Sequence, residues 1–180
     1  RAAERIVFHD GRETAPGGAR VDMFMREGEV MGFLDAWQSG LAVGVPGVVA
    51  MYAQAHDRHG KLPWADLFQP AIRLAEAGFE VSPRLAGLLE RMKPHTRLDE
   101  NPDTAAYFYP GGKALQAGDR RANPEYAETL KAVAEEGIQA FYGGYVAAEI
   151  VAAVAGEPNP GTLSLGDIAA YRPVERDAVC

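Results

Sequence analysis

Residues that begin and end helices recur through the middle of this sequence at the spacing of ordinary helices. Ser82-Pro83 and Asn123-Pro124 each place a capping side chain before a proline, and proline suits the first helical position because its missing N–H needs no partner there. Gly137 follows the second segment, where glycine commonly ends a helix. The pattern predicts helices over "SPRLAGLLERM" and "NPEYAETLKAVAEEG", within a mainly helical middle of the chain.

Two earlier segments also have helical spacing and contain prolines. Pro46 suits the first turn of a helix that continues through "VVAMYAQAHDRH", and Gly60 is placed to end it. The next segment, "LPWADLFQPAIRLAEAGFEVS", has an apolar stripe, and Pro70 lies inside it. Because proline removes a helical hydrogen bond and its ring crowds the preceding turn, we expect two helical pieces there. The stripe consists of Leu67, Ile72, Leu74 and Ala75.

The remaining segments complete the predicted fold. "YFYPGGKAL" predicts a short hairpin, "IQAFYGGYVAAEIVAAVAG" a helix weakened at Gly143-Gly144, and "SLGDIAAY" a last short helix. "RIVFHDG" alternates with Ile6 and Phe8 on one face and predicts a strand, as does the tail "YRPVERDAVC". The expected class is therefore α/β (α+β), mainly helical, with strands near both ends. Residues 1–180 are expected to form a single partial domain.

Composition excludes only a few classes of function. The net charge is −7 and no long basic run is present, which argues against nucleic-acid binding. No apolar run approaches the roughly 20 residues of a membrane span, and the start lacks the apolar core of a signal peptide. Arg1 begins inside an amphipathic pattern and Cys180 ends a strand-like tail, so we expect a fragment of a longer protein. The lone terminal Cys180 is a poor candidate for a nucleophile.

Several familiar catalytic patterns are absent or weak. His56 and His59 share a helix face at a spacing that metal ligands can use, but no third ligand is evident, and a solvated helix end is the favoured interpretation. The sequence has no phosphate-binding glycine motif; Gly44 and Gly47 instead indicate close backbone packing. The acidic "AEEG" and "LDEN" indicate solvated surfaces. The serines, interpreted as a loop residue and two helix caps, are Ser39, Ser82 and Ser164.

Arg12 remains as a candidate binding residue, in the loop after the first strand. A planar guanidinium can bind a carboxylate through two parallel hydrogen bonds, and functional residues often lie on loops held by a rigid scaffold. Gly11 and Pro16 fit such a loop. Spacing alone, however, favours a surface ion pair between Arg12 and Glu13.

A family resemblance extends over nearly the whole chain. "DGRETAP" followed by "RVDMF" resembles the carboxylate-binding loop of the gamma-glutamyltranspeptidase family, and the similarity continues in order through "SGLAVGVPGVVAMYAQAHDRHGKLPWADLFQPAIRLAEAGFEVS", "FYPGGKALQAGD", "NPEYAETLKAVAEEGIQAFYGGYVAAEIV" and "GTLSLGDIAAYRPVERDAV". The resemblance implies an N-terminal-nucleophile hydrolase (αββα) fold. It also implies the middle to C-terminal part of the large subunit, without the flanking N-terminal part or the catalytic small subunit.

The resemblance also implies the chemistry. A self-cleaving precursor yields a small subunit whose N-terminal Thr attacks a gamma-glutamyl amide such as that of glutathione. Arg12 is then expected to bind the alpha-carboxylate of the gamma-glutamyl group, with Glu13 and the following residues shaping the loop. No metal or cofactor is implied. None of the threonines here stands in the family's nucleophile motif, so the fragment alone is expected to be inactive; they are Thr14, Thr96, Thr104, Thr129 and Thr162.

Two alternatives stay open at this point. One is a related acylase acting on another acyl group, of the cephalosporin acylase or poly-gamma-glutamate-processing type. The other is a non-catalytic structural domain that kept the fold. The expected partners are a gamma-glutamyl small molecule, the small subunit of the same precursor and, through apolar edges left uncovered, further copies of the fragment. Bacterial members of the family suggest a periplasmic or secreted location.

Overall fold

The structure, a computed structural model, describes residues 6–177. Arg1 and Cys180, on which sequence-based expectations rested, lie outside the described residues. The strands are β1 (Val7–Asp10), β2 (Met25–Arg26), β3 (Glu29–Val30), β4 (Phe79–Glu80), β5 (Arg120–Arg121) and β6 (Val174–Asp177). The helices are α1 (Phe33–Trp37), α2 (Val48–His59), α3 (Trp64–Ala77), α4 (Pro83–Met92), α5 (Pro102–Phe108), α6 (Pro124–Glu136), α7 (Gln139–Tyr142), α8 (Tyr145–Val154) and α9 (Leu165–Ala170). Short 3-10 turns lie at Gly40–Ala42, Lys93–His95 and Pro110–Gly112.

The strands form three antiparallel pairs, and the most widely separated pair joins the two ends of the chain. β1 pairs with β6 in a register that places Val7 opposite Asp177 and His9 opposite Glu175. β2 and β3 form a hairpin, and β4 pairs with β5. The predicted strands at both ends are confirmed, and within residues 6–177 β1 and β6 pair only with each other.

The capping residues act as the sequence predicts. Ser82 Oγ accepts a hydrogen bond from Leu85 N, and Asn123 Oδ1 accepts one from Tyr126 N. Ser164 forms a reciprocal capping box with Asp167 at the start of α9. Gly137 ends α6 with a φ of 71°, a left-handed value that glycine adopts without a steric penalty. These local contacts explain why the boundaries of α4, α6 and α9 are confirmed.

Four sequence-based details are corrected. α3 is one helix through Pro70, because the proline lies on its exposed face, where the carbonyl that loses a partner can bond to water. α2 begins at Val48, two residues after Pro46. The glycine pair at 143–144 separates two helices, α7 and α8. The expected hairpin in "YFYPGGKAL" is wrong, because Asn101 caps a helix that runs through Phe108.

Two apolar clusters form the interior. The first lies between α2, α7, α8 and α9, and the second lies around α4 and Tyr109. α3 packs along α6, where Trp64 Nε1 donates to Val133 O at 2.9 Å and Lys131 pairs with Glu76 at 2.6 Å. The first cluster packs against the residues at the start of α2, and the Arg12 loop packs against the same residues.

Apolar side chains also remain at the surface. Ile6 and Phe8, on the predicted apolar face of the first strand, are 73% and 56% exposed. The face is apolar as predicted, but no other part of residues 6–177 covers it. None of the helices within the described part of the chain is both long and apolar enough to cross a membrane.

Candidate functional site

The Arg12 loop follows β1 directly and is shaped by a local turn. The backbone N–H of Arg12 donates to Asp10 Oδ1 at 2.9 Å. The other carboxylate oxygen of Asp10 accepts from Arg176 Nε at 2.6 Å, across the strand pair. The Arg12 amide, followed by Arg176, holds the pKa of Asp10 below its usual value. The turn and Arg176 therefore favour the ionised carboxylate of Asp10.

A buried tyrosine fixes the loop from the other end of the sequence. Tyr171 donates its phenolic hydrogen to the carbonyl oxygen of Arg12 at 2.7 Å. Its ring stacks on that of Tyr142, whose hydroxyl donates to Pro46 O at 2.9 Å and accepts from Ala50 N at 3.1 Å. Burial raises the pKa of both tyrosines, so each remains a neutral donor. The two hydroxyls join the Arg12 loop to the start of α2.

Three glycines allow backbone contacts that a side chain would block. A Cβ on Gly47 would lie 2.1 Å from Tyr171 Oη, and one on Gly11 would lie 2.5 Å from Met51 Cβ. A Cβ on Gly44 would lie 2.8 Å from Glu13 Cγ. The predicted role of Gly44 and Gly47 in close packing is confirmed. This packing presses the loop against the residues that begin α2.

Two more contacts hold the later part of the loop. Val45 N donates to Thr14 O at 2.9 Å in an isolated β-bridge, and Gly17 N donates to Asp167 Oδ1 at 2.9 Å. Hydrogen bonds from the Ser164 side chain, then from Gly17 and Ser164 amides, hold the pKa of Asp167 below its usual value. Hydrogen bonds thus connect the loop to the starts of α2 and α9 and to β6.

The side chain of Arg12 is exposed, although its backbone is fixed. It is 80% exposed and pairs with Glu13 through Nε at 3.1 Å. The predicted surface ion pair is present, and a guanidinium has more donors than one carboxylate can use. Beside it lies an open cleft of about 390 Å³, lined by the loop together with Phe24 and Leu41. The arrangement can present a cation to a carboxylate-bearing small molecule.

The other candidate groups have structural partners. His56 Nε2 contacts Leu62 O at 2.9 Å, so it is not directed at a ligand shared with His59. Within residues 6–177, no set of three or more His, Cys, Asp or Glu side chains is gathered to hold a metal ion. The hydroxyls of Thr96, Thr104 and Thr129 donate to backbone carbonyls of their own segments. The glutamates of "AEEG" are exposed on α6.

Sequence reasoning offered Arg12 as a candidate but missed the residues that hold its loop. Asp10 had a local signal, because an Asp two residues before a turn amide commonly accepts its hydrogen. Tyr171 had none, since it lies 159 residues from Arg12 in the chain. Only the folded structure brings that hydroxyl to the loop.

Comparison with known proteins places this chain in a family. The sequence pattern of the family described as gamma-glutamyltranspeptidase matches residues 1–180. The chain belongs to the gamma-glutamyltranspeptidase family. The "Glutathione hydrolase proenzyme" of Arthroderma benhamiae is 39% identical over 170 residues, which are 94% of this chain and 28% of that relative. The "Acylase ACY 1 proenzyme" of Pseudomonas sp. (strain SE83) is 36% identical over 174 residues, 93% of this chain and 30% of that relative.

A solved gamma-glutamyltranspeptidase confirms the fold class. The crystal structure of the Helicobacter pylori enzyme superposes with a TM-score of 0.86 at 32% identity, and the match covers 95% of this chain and 48% of that chain. The predicted N-terminal-nucleophile hydrolase fold, of the α/β class, is therefore confirmed for the described part of this family member. The chain spans between a quarter and a third of the length of the curated relatives it matches.

Proposed function

We propose that this chain is the middle to C-terminal part of the large subunit of a gamma-glutamyl transferase or glutathione hydrolase. Arg12 binds the alpha-carboxylate of the gamma-glutamyl group. Membership of the family supports the reaction class. The observation that carries the role of Arg12 is its position: an exposed guanidinium on a loop whose backbone is fixed by Tyr171, Asp10 and the start of α2. A fixed backbone lowers the ordering cost when a ligand binds.

The proposed division of labour leaves the bond-forming step to another part of the protein. The N-terminal Thr of the small subunit attacks the gamma-glutamyl carbonyl, its amine serves as the base, and the acyl group passes to water or to an amine. Arg12 holds the donor substrate while the reacting carbon is presented to that Thr. Residues 1–180 alone then bind without turning over, and the reaction uses no cofactor.

A related acylase is the second candidate. The similarity to Acylase ACY 1 proenzyme supports it. In such an enzyme Arg12 would bind a carboxylate of a different acyl group, such as a dicarboxylic side chain or a poly-gamma-glutamate chain. Arg12 itself does not separate these substrates, because each offers the same anion to the guanidinium.

The direct test is hydrolysis of a gamma-glutamyl anilide by the intact gene product. Charge-assisted hydrogen bonds contribute about 1.5–3 kcal/mol each, so losing two costs about 3–6 kcal/mol. This corresponds to a fall in kcat/KM of about 10²- to 10⁴-fold for Arg12→Ala. The kcat/KM of Arg12→Lys should lie between the values for the wild type and Arg12→Ala, because an ammonium cannot form the paired contact. The matched control is Arg20→Ala, which removes an exposed arginine of the same loop that pairs with Asp22.

The outcomes separate the candidates. Turnover that falls with Arg12→Ala and not with Arg20→Ala supports the proposal. Turnover that Arg12→Ala leaves unchanged would refute carboxylate binding by Arg12. A gene product that cleaves itself but ignores the anilide points to the acylase alternative, and one that neither cleaves nor turns over points to a structural domain.

A further inference from the structure

A second pair of side chains meets outside the Arg12 cleft. His9 lies on β1 and His59 is the last residue of α2. Their Nε2 atoms are 3.2 Å apart, and the rings meet edge to face with centroids 5.4 Å apart. The sequence pattern had paired His59 with His56, but the fold brings His9 to it from 50 residues away.

Hydrogen bonding identifies which nitrogen of His9 carries its proton. His9 Nδ1 lies 3.0 Å from Gln54 Oε1, and an amide oxygen only accepts, so Nδ1 is the donor. Gln54 is held in this orientation by its own Nε2, which donates to Pro173 O at 3.5 Å. The neutral His9 ring therefore directs the lone pair of Nε2 toward His59, whose Nε2–H donates to it when no ion is bound. An ion replaces that hydrogen once the His59 proton moves to Nδ1. Metal-bound histidines commonly have this arrangement, with the second nitrogen donating to an oxygen.

The separation of the two nitrogens suits a shared ion. With metal–nitrogen bonds of about 2.0–2.1 Å, two tetrahedral nitrogen ligands lie about 3.3–3.4 Å apart. His59 is exposed at the end of α2, so its ring can turn to face the ion. Arg58, the adjacent cation, forms an ion pair with Glu175, which offsets its repulsion.

We propose that His9 and His59 bind a divalent transition-metal ion that prefers imidazole, such as Zn²⁺, Ni²⁺ or Cu²⁺. No third His, Cys, Asp or Glu side chain within residues 6–177 joins the pair, so water completes the coordination. The ion links β1 to the end of α2. Its ligand on β1, His9, lies three residues before Arg12 in the chain. This proposal is independent of the acyl chemistry proposed above.

Titration calorimetry of the metal-stripped intact gene product with Zn²⁺ tests the proposal. His9→Gln or His59→Gln should remove one equivalent of binding or weaken it by about tenfold or more, and Gln54→Leu should weaken it by about 10- to 100-fold. His95→Gln is the control, because that exposed histidine lies on a separate 3-10 turn. Cys180→Ser, made in every variant, removes the thiol as a competing ligand.

A second readout covers variants that alter folding. The first Cu²⁺ equivalent should show two nitrogen ligands by electron paramagnetic resonance, and one nitrogen ligand in His59→Gln. Because His59 is exposed, we expect the circular dichroism spectrum of this variant to match that of the wild type. Zn²⁺ affinity and stoichiometry unchanged in both His9→Gln and His59→Gln, or a Cu²⁺ spectrum identical in wild type and His59→Gln, would overturn the proposal.

Discussion

Removing one hydroxyl, in Tyr171→Phe, tests whether the Arg12 loop is held from the other end of the chain. The substitution deletes the donor that lies 2.7 Å from Arg12 O and keeps the ring that stacks on Tyr142. A typical intramolecular hydrogen bond contributes about 1 kcal/mol net, and an unpaired buried carbonyl costs about 1–3 kcal/mol. We therefore expect a loss of about 1–3 kcal/mol.

The loss is measured in two ways. Urea unfolding should show a lower midpoint with an unchanged slope, because the surface exposed on unfolding stays the same. If the proposed function holds, KM for the gamma-glutamyl anilide rises severalfold while kcat changes little, since a mobile loop weakens substrate binding. The control is Tyr126→Phe, which removes the hydroxyl of an exposed tyrosine on α6.

A converse substitution addresses the same contact by adding an atom. In Gly47→Ala the new Cβ would lie 2.1 Å from Tyr171 Oη and 2.5 Å from Gly11 O, so the loop must move, at a cost of about 1–3 kcal/mol. Gly87→Ala is the control: apart from its chain neighbours and the backbone of its own helix, no atom lies within 4 Å of the new Cβ, and α4 should gain about 1 kcal/mol. Unfolding midpoints for Tyr171→Phe and Gly47→Ala that both equal the wild-type value would refute the claim that this contact fixes the loop.

Two further predictions concern acid stability and association. Because the folded structure lowers the pKa of Asp10, this group contributes stability above its unfolded pKa of about 4, and the contribution is lost as pH falls through the folded pKa. The difference in unfolding free energy between wild type and Asp10→Asn should thus be larger at neutral pH than in acid; a difference as large in acid as at neutral pH would contradict it. Residues 1–180 produced alone should self-associate through the exposed face of Ile6 and Phe8, and a single monomer peak at every concentration in size-exclusion chromatography would exclude this.

The parts of the fold that sequence predicted best are those decided within a few residues. Ser82, Asn123 and Ser164 cap helices through amides three residues ahead, so their effect is visible in any short window. The wrong hairpin in "YFYPGGKAL" shows the limit of such windows. Asn101 begins a helix upstream of the glycine pair, and that start decides the conformation of Phe108.

Pro70 illustrates the influence of tertiary packing. Local physics predicts a break, but Ile72 and Ala75 are buried, and α3 packs along α6 on that side. The proline faces solvent, where the unpaired carbonyl of the preceding turn can bond to water. Packing on one face therefore maintains one helix through a residue that disfavours it.

By itself, the sequence determined the boundaries of α4, α6 and α9, the strands at both ends and, through its motifs, the family, and it offered Arg12 as a candidate binding residue. These features depend on neighbours in the chain or on an ordered string of residues. Only the tertiary structure decided that Tyr171 holds Arg12 and that His9 meets His59, because each contact joins residues 50 or more positions apart. Such contacts form when β1, β6 and α2 pack together, and no local sequence pattern predicts them.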